Sequence, residues 1–274
     1  MTVQAPAKVN LALRILSKRP DGFHEIETLV APLTLADEIE IEVSKGRGID
    51  LACDDADLSA GPDNLVWRAA ELFQQHTGER FHTRIRLQKK IPHGAGLGGG
   101  SSDAAAVLKA LDELRGTRLG PEQLEALAGT LGSDIPFFIR CRLALCRGRG
   151  EVMKTADEIP AAKILLFKPP FPVSTAWAYQ AWSTPAPASR IQQFHGAVEL
   201  VNDLEEPVFH KFLLLPTLKS WLLEQTGVAA AMMSGSGSTI FAILRQDAGN
   251  LAQRAKDRFG ETLWTAETEL MNNS

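Results

Sequence analysis

The chain has 274 residues, 45% of them hydrophobic and 23% charged, with a net charge of −4. This length and balance exclude a disordered, low-hydrophobicity polypeptide and leave room for two cores of ordinary domain size. They also give no electrostatic footprint for nucleic acid, and no apolar run is long enough to span a bilayer or to follow a basic leader. The cysteines, Cys53, Cys141 and Cys146, are odd in number and lack metal-ligand spacing, so they read as reduced thiols of a cytoplasmic protein.

In chain order, Val9, Leu11 and Leu13 alternate with Lys8, Asn10 and Ala12, the period of a strand with one buried face. Lys8 and Asn10 are thus expected together on the open side. They read either as groups that reach a phosphate and a substrate hydroxyl or as a solvated lysine beside an edge asparagine, and this stretch alone favours the second. Arg19-Pro-Asp-Gly is a turn signal, and Phe23 and His24 follow it at once. A ring beside a neutral imidazole suits stacking and hydrogen bonding to a flat heterocycle. Core packing for Phe23 and local pairing for His24 is the alternative. Glu38 to Val43 alternates as a half-exposed strand, with Ile49 to Cys53 as its expected hairpin partner. Asp63-Asn64 opens a helix carrying Val66, Ala69, Leu72 and Phe73. Phe81, Thr83, Ile85 and Leu87 then form a strand.

That strand delivers the chain to Gly94, Gly96, Gly98, Gly99 and Gly100, five glycines within seven residues. Glycine permits φ > 0 and lets backbone N–H groups approach an anion that side chains would hold off. Ala104, Val107, Leu108, Leu111 and Leu114 follow at helical spacing up to Gly116, with the N-cap expected among Ser101, Ser102 and Asp103. A glycine loop feeding a helix N-terminus reads as a phosphate cradle. It is not a Walker loop, because glycine stands at the lysine position. Gly94 to Gly99 does match the dinucleotide spacing, but residues 117–131 read as a second helix where that fold needs a strand ending in an acid.

Asp134 sits two residues before Pro136, as a helix cap or as a carboxylate held near the phosphate loop. Residues 155–162 look like a linker, and Lys163 to Lys168 like a buried strand. Ser174-Thr175 caps a helix holding Tyr179, the single tyrosine of the chain, either a helix residue with its hydroxyl in water or an aromatic wall for a ligand. Residues 183–196 read as loop, Asn202 to Glu206 opens a helical stretch, and Leu213 to Leu223 is helical with a break at Pro216. Two apolar strands, Ala229 to Met233 and Thr239 to Leu244, flank Ser234-Gly-Ser-Gly-Ser238, a plain turn or a second close backbone approach to an anion. A helix from about Asp247 to Phe259 and a strand near Thr262 to Thr265 follow. The first half has an α+β layer pattern, and the second is a smaller α/β-type domain.

Three of these stretches, Pro6-Ala-Lys-Val-Asn-Leu11, Pro92 to Ser102 and Met233 to Phe241, resemble in order and spacing the three motifs of the GHMP kinases, the galactokinase, homoserine kinase, mevalonate kinase and phosphomevalonate kinase superfamily. Arg19-Pro-Asp-Gly-Phe-His, Gly132-Ser-Asp-Ile-Pro-Phe and Asn202-Asp-Leu-Glu resemble the branch of it whose acceptor is a cytidine-diphospho sugar alcohol. The likeness covers essentially the whole chain.

The resemblance implies an α+β, two-domain GHMP kinase fold, with a ribosomal S5 domain 2-like N-terminal domain over 1–155, an α/β C-terminal domain over 156–274, and the active site in the cleft between them. It implies ATP-dependent phosphorylation of the 2-hydroxyl of a methylerythritol moiety in non-mevalonate isoprenoid synthesis, with Mg²⁺ accompanying ATP. By the same likeness Asp134 matches the catalytic base and Lys8 the lysine that stabilises charge at the acceptor hydroxyl. Pro92, His93, Gly94, Ala95, Gly96, Leu97, Gly98, Gly99, Gly100, Ser101 and Ser102 match the ATP loop. Asn10 matches a substrate-side polar contact, His24 the partner of cytosine, and Phe23 and Tyr179 its two aromatic walls. The family often has tyrosine at Phe23 and asparagine at Asp103. No acidic Mg²⁺ ligand is evident, leaving Ser101 or Ser102 as hydroxyl partners. The competing expectations are a homoserine- or mevalonate-type kinase with the same ATP machinery and, against the acidic balance, a non-catalytic nucleic-acid-binding module.

Overall fold

In the computed structural model, which describes residues 1–183, 192–247 and 249–271, the alternating segment around Lys8 becomes strand β1 (Thr2–Lys18), and the turn at Pro20 to Phe23 returns it as β2 (His24–Ser44). β3 (Gly48–Cys53), α1 (Leu65–Thr77), β4 (His82–Gln88), α2 (Gly99–Arg115), α3 (Gly120–Gly129) and α4 (Ile135–Arg140) follow. Beyond them come β5 (Ala144–Gly148), β6 (Val152–Thr155), β7 (Lys163–Lys168), α5 (Thr175–Ala181), β8 (Gln193–His195), β9 (Val198–Asn202), α6 (Glu205–Lys211) and α7 (Leu214–Leu223). β10 (Val228–Met233), β11 (Ile240–Leu244), α8 (Leu251–Phe259) and β12 (Trp264–Glu269) complete the described elements.

Packing divides the chain differently from a single cut at 155/156. One unit comprises Met1–Ala7, Ala36–His93 and Gly98–Arg142; the other comprises Lys8–Leu35, Gly94–Leu97 and Leu143–Ser274. β1, β2 and the glycine loop therefore contribute residues to both.

In the first unit, β4 pairs antiparallel with the second half of β2 and parallel with β3. The hairpin expected between β2 and β3 does not form, because β4 takes the place beside β2 after the chain has crossed through α1. Alternation fixes which face of a strand is buried, not which strand lies next to it. The charges supply the missing preference: Glu40 and Glu42 stand opposite Arg86 and Arg84 with ion pairs of 3.5 Å each, whereas Asp50 of β3 would have faced more acid on β2. Asn64 accepts the Val66 N–H and caps α1, as its sequence suggests. Phe73, Ile39, Ile41, Ile85, Leu108 and Leu111 are fully buried, and the alanine-rich face of α2 lets its backbone approach its neighbours closely.

In the second unit, the strand order is β10-β11-β7-β12, and α5, α6, α7 and α8 contribute Ala178, Val208, Leu215, Leu218, Leu222, Leu251 and Ala255 to a core with Leu165, Phe167, Met233 and Ile240. Pro216 does not break α7. It is the third residue of the helix, where the missing N–H would have had no intrahelical partner. Of the loop expected over 183–196, residues 184–191 lie outside the described residues and Gln193–His195 pairs with β9, a strand the sequence reading missed. β9 runs parallel to β1, with Ala12 opposite Val201 and Leu13 opposite Asn202. Near the other end of this unit, Thr34 and Thr268 share a hydroxyl hydrogen bond of 3.0 Å, and the Leu35 and Glu269 N–H groups bond the same two hydroxyls at 2.8 and 3.0 Å.

Candidate functional site

β1 places Lys8 and Asn10 on one side, as alternation requires, but that side is buried: only 8% of Lys8 and 6% of Asn10 is accessible. The expectation of an open face is wrong because both sides of this strand are covered, and Ala7, Val9 and Leu11 are buried as well. A buried ammonium needs acceptors. Lys8 Nζ donates to Asn10 Oδ1 at 2.6 Å and to the carbonyl of Gly96 at 2.9 Å. Asn10 Nδ2 in turn donates to Thr28 Oγ1 at 2.8 Å.

The glycine loop is anchored by its carbonyls. Leu97 O accepts the Lys8 N–H at 2.9 Å, Gly96 O accepts Ser234 Oγ at 2.9 Å as well as Lys8, and Ala95 O accepts the Thr239 N–H at 3.3 Å. Gly96 has φ +75°, and a Cβ there would sit 2.4 Å from Ser234 O and 2.9 Å from Gly237 O, so this position admits only glycine.

The second glycine turn, Ser234 to Ser238, is both the connection between β10 and β11 and a close approach. A Cβ on Gly235, whose φ is +56°, would lie 3.1 Å from Asn10 Oδ1 and 3.3 Å from Lys8 Nζ. This turn is held from behind by the segment expected to open a helix at Asn202, where Asn202 instead ends β9 and the helix starts at Glu205. Asn202 Nδ2 donates to Met233 O and Gly235 O at 2.8 Å each, and Glu205 Oε1 accepts the Met233 N–H at 2.9 Å. The three motif stretches thus meet around Lys8.

The aromatic candidates also fall in this second unit. Tyr179 stacks on His24 with ring centroids 5.5 Å apart, and Trp182, not singled out in the sequence, meets His24 edge-on at 5.7 Å. Phe23 is 53% exposed and carries the Arg149 guanidinium 4.9 Å from its ring centre. Burial, reinforced by the charge of Lys18, holds the His24 imidazole below its ordinary range, so the ring is neutral at pH 7.

In the first unit, α2 begins at Gly99 with Gly98 (φ +73°) as its N-cap and no side-chain cap. Ser101, Ser102 and Asp103 lie inside the helix, which begins about one turn earlier than expected, because a left-handed Gly98 turns the chain into the helix first. The first turn of the helix is therefore left without a capping side chain. Pro92 and His93 precede the loop, His93 exposed and Pro92 half-buried.

Beneath this helix end lies a charged cluster that the sequence did not reveal. Lys89 Nζ pairs with Asp37 Oδ2 and, at 2.8 Å, with Asp103 Oδ2, while Asp37 Oδ1 accepts the Lys90 and Ile91 N–H groups at 2.5 and 2.8 Å. All three side chains are at least nine-tenths buried. The cluster ties the entry of the loop (Lys89 to Ile91) to its exit on α2. Burial outweighs the pull of Lys89 and, with the nearby charge of Asp37, pushes the Asp103 carboxyl up to about 7. Burial opposes the charge on Lys89, but the Asp103 and Asp37 carboxylates prevail and hold its ammonium above the ordinary lysine range.

Asp134 occupies the N-cap position of α4, yet its side chain makes no capping hydrogen bond and is exposed. Its carboxylate is thus not committed to the helix. Among the described residues no group of three or more His, Cys, Asp and Glu side chains is placed to hold a metal ion. Ser102 Oγ is buried without a hydrogen-bond partner.

Residues 64–142 match the model of the GHMP kinases N terminal domain and residues 186–261 that of the GHMP kinases C terminal region. The chain is 42% identical over 281 aligned positions to the 4-diphosphocytidyl-2-C-methyl-D-erythritol kinase of Methylacidiphilum infernorum, covering 97% of this chain and 96% of that one. It is 40% identical to the protein of the same name from Geobacter sulfurreducens, with 97% of each covered. A crystal structure of 4-(cytidine 5'-diphospho)-2C-methyl-D-erythritol kinase superposes with a TM-score of 0.83 at 36% identity over the full length of both chains. A homoserine kinase from Cytophaga hutchinsonii shares the fold, with a TM-score of 0.71 at 19% identity over 100% of this chain and 95% of that one.

Proposed function

The chain belongs to the GHMP kinases and, within them, to the family of the 4-diphosphocytidyl-2-C-methyl-D-erythritol kinases, and from that premise we propose that it transfers the terminal phosphoryl group of ATP to the 2-hydroxyl of 4-diphosphocytidyl-2-C-methyl-D-erythritol. The product serves non-mevalonate isoprenoid precursor synthesis. One observation carries the mechanism: Lys8, buried in β1, donates its Nζ to the carbonyl of Gly96, so the lysine is tied directly to the glycine loop.

Phosphoryl transfer asks a protein mainly for positioning and charge stabilisation. The loop from Pro92 to Ser102 and the uncapped start of α2 hold the triphosphate. Lys8 offsets charge that develops at the transferred group. Asp134, free of a capping role, accepts the acceptor hydroxyl proton. Neutral His24 hydrogen-bonds the cytosine, Tyr179 and Phe23 supply its flat walls, and Asn10 stands beside Lys8 on the acceptor side. Mg²⁺ accompanying ATP would supply neutralisation of phosphate charge. The residues suit an ion carried by the phosphates rather than a protein cage, and the orphaned Ser102 hydroxyl, with Ser101, fits as its protein partner. Free thiols and the use of ATP support a cytoplasmic setting.

The test is ATP turnover against three acceptors: the cytidine-diphospho alcohol, homoserine and mevalonate. Efficient turnover of the first alone, with phosphate on the 2-hydroxyl by phosphorus NMR, is expected. Preference for either bare alcohol would overturn the acceptor assignment.

A further inference from the structure

Thr28 lies on β2 with 4% of its surface accessible, and its hydroxyl is the far end of the chain of hydrogen bonds that reaches Lys8. The direction of each bond in that chain is fixed. Thr28 Oγ1 donates its single proton to the carbonyl of Ala12 at 2.6 Å, because a carbonyl can only accept. Toward Asn10 the hydroxyl is therefore an acceptor, and it takes the amide Nδ2 at 2.8 Å. With Nδ2 committed to Thr28, the amide must present Oδ1 to Lys8, and it does so at 2.6 Å. The opposite amide orientation would set an N–H₂ group against an ammonium, donor against donor, while leaving two proton donors unmatched. Burial limits the access of water that could correct the mismatch, since Lys8 and Asn10 are buried as Thr28 is. Gly235 faces both groups, since a Cβ there would lie 3.1 Å from Asn10 Oδ1 and 3.3 Å from Lys8 Nζ.

We infer that Thr28 is a positioning residue for the kinase reaction: by fixing the polarity of the Asn10 amide it sets where the Lys8 ammonium points. The inference deepens the assignment of Lys8 as the charge-stabilising group, and it rests on that assignment. Thr28 itself touches neither nucleotide nor acceptor in this role. Its removal acts on turnover through Lys8 and leaves the helix end that holds the triphosphate untouched.

The experiment compares Thr28→Val, Thr28→Ser and Lys8→Met in the full-length protein, with kcat and both KM values measured beside thermal unfolding. Valine keeps the shape and removes the hydroxyl, so kcat should fall roughly 10- to 100-fold, the scale of a misplaced catalytic group, with KM for ATP little changed. Serine restores the hydroxyl and should recover most of the lost turnover. Wild-type kcat in Thr28→Val, with Lys8→Met inactive, would overturn the role of Thr28 and leave that of Lys8 standing. A serine variant as slow as the valine variant would also overturn it, since methyl packing would then matter and hydroxyl polarity would not. If Lys8→Met kept normal turnover, the charge-stabilising assignment and the inference built on it would fall together. Should the valine variant not fold, Thr28→Ala against Thr28→Ser makes the same comparison, with rescue by serine expected and equal loss in both overturning it.

Discussion

The ammonium of Lys8 and the carbonyl of Gly96 are bonded at 2.9 Å across 88 residues of sequence, so the lysine proposed for catalysis and the glycine loop share one hydrogen bond. Gly96→Ala should therefore do two things. The left-handed φ alone costs about 1–2 kcal/mol for a residue with a Cβ, and the new methyl group must displace Ser234 O from 2.4 Å. Gly116→Ala is the control, because Gly116 has φ +64° with nothing within 4 Å of its Cβ position. Thermal unfolding should show loss in both variants. Steady-state kinetics should show raised KM for ATP and lowered kcat only for Gly96→Ala.

Asp134→Asn should separate catalysis from folding. Because the carboxylate is exposed and makes no cap bond, its loss should move stability by no more than about 0.5 kcal/mol, as at an ordinary surface position. As general base its loss should lower kcat on the order of 10²- to 10⁴-fold. A denaturant melt beside a single-turnover assay measures both, and near-normal turnover in a folded variant would refute the base assignment.

Asp103 gives a pH signature. Its carboxyl is raised from 3.8 to about 7 in the folded protein, so the folded state holds the proton more tightly than the unfolded chain does. Its contribution to stability is then full below about pH 4 and is lost as pH rises through about 7. Asp103→Asn, which keeps the size and a hydrogen-bonding amide, should flatten that decline. The measurement is Tm at intervals between pH 4 and pH 8 for both proteins, and equal slopes would remove Asp103 from the account.

His24 runs the other way. Its imidazole sits below the ordinary value of 6.5, so its contribution to stability is present above that value and fades as pH falls through the depressed folded value. If the neutral ring pairs with cytosine, KM for the acceptor should stay level from pH 8 to about 6.5 and climb in more acid buffer. His24→Ala should raise KM for the acceptor and leave KM for ATP alone. Equal loss of both would mark a structural role.

Local chemistry made several elements legible. The Asn64 cap, the Ser174 cap, the buried strand at Lys163 and the glycine run all depend on neighbours close in sequence, and the structure contains them. The pairing of β3 with β4 instead of β2 depended on a strand that had not yet been reached, though the acidic faces of β2 and β3 and the basic face of β4 held the clue. The burial of Lys8 was hidden because period two reports one covered face and is silent when both are covered. Asp37, Lys89 and Asp103 look like three solvated charges in a sequence. Only their convergence, 52 and 14 residues apart, turns them into the support of the loop. Asn202 was visible as a motif, but its hold on Gly235 was not.

Thr34 and Thr268 are hydrogen-bonded partners separated by 234 residues. On a ribosome adding about 5–20 residues per second, the first waits on the order of 10–50 s before the second exists. Through that interval the apolar edge of β2 around Leu33, which later bridges to Leu270, has no mate of its own. β2 is thus made early and completed late, its last bridge waiting for Leu270.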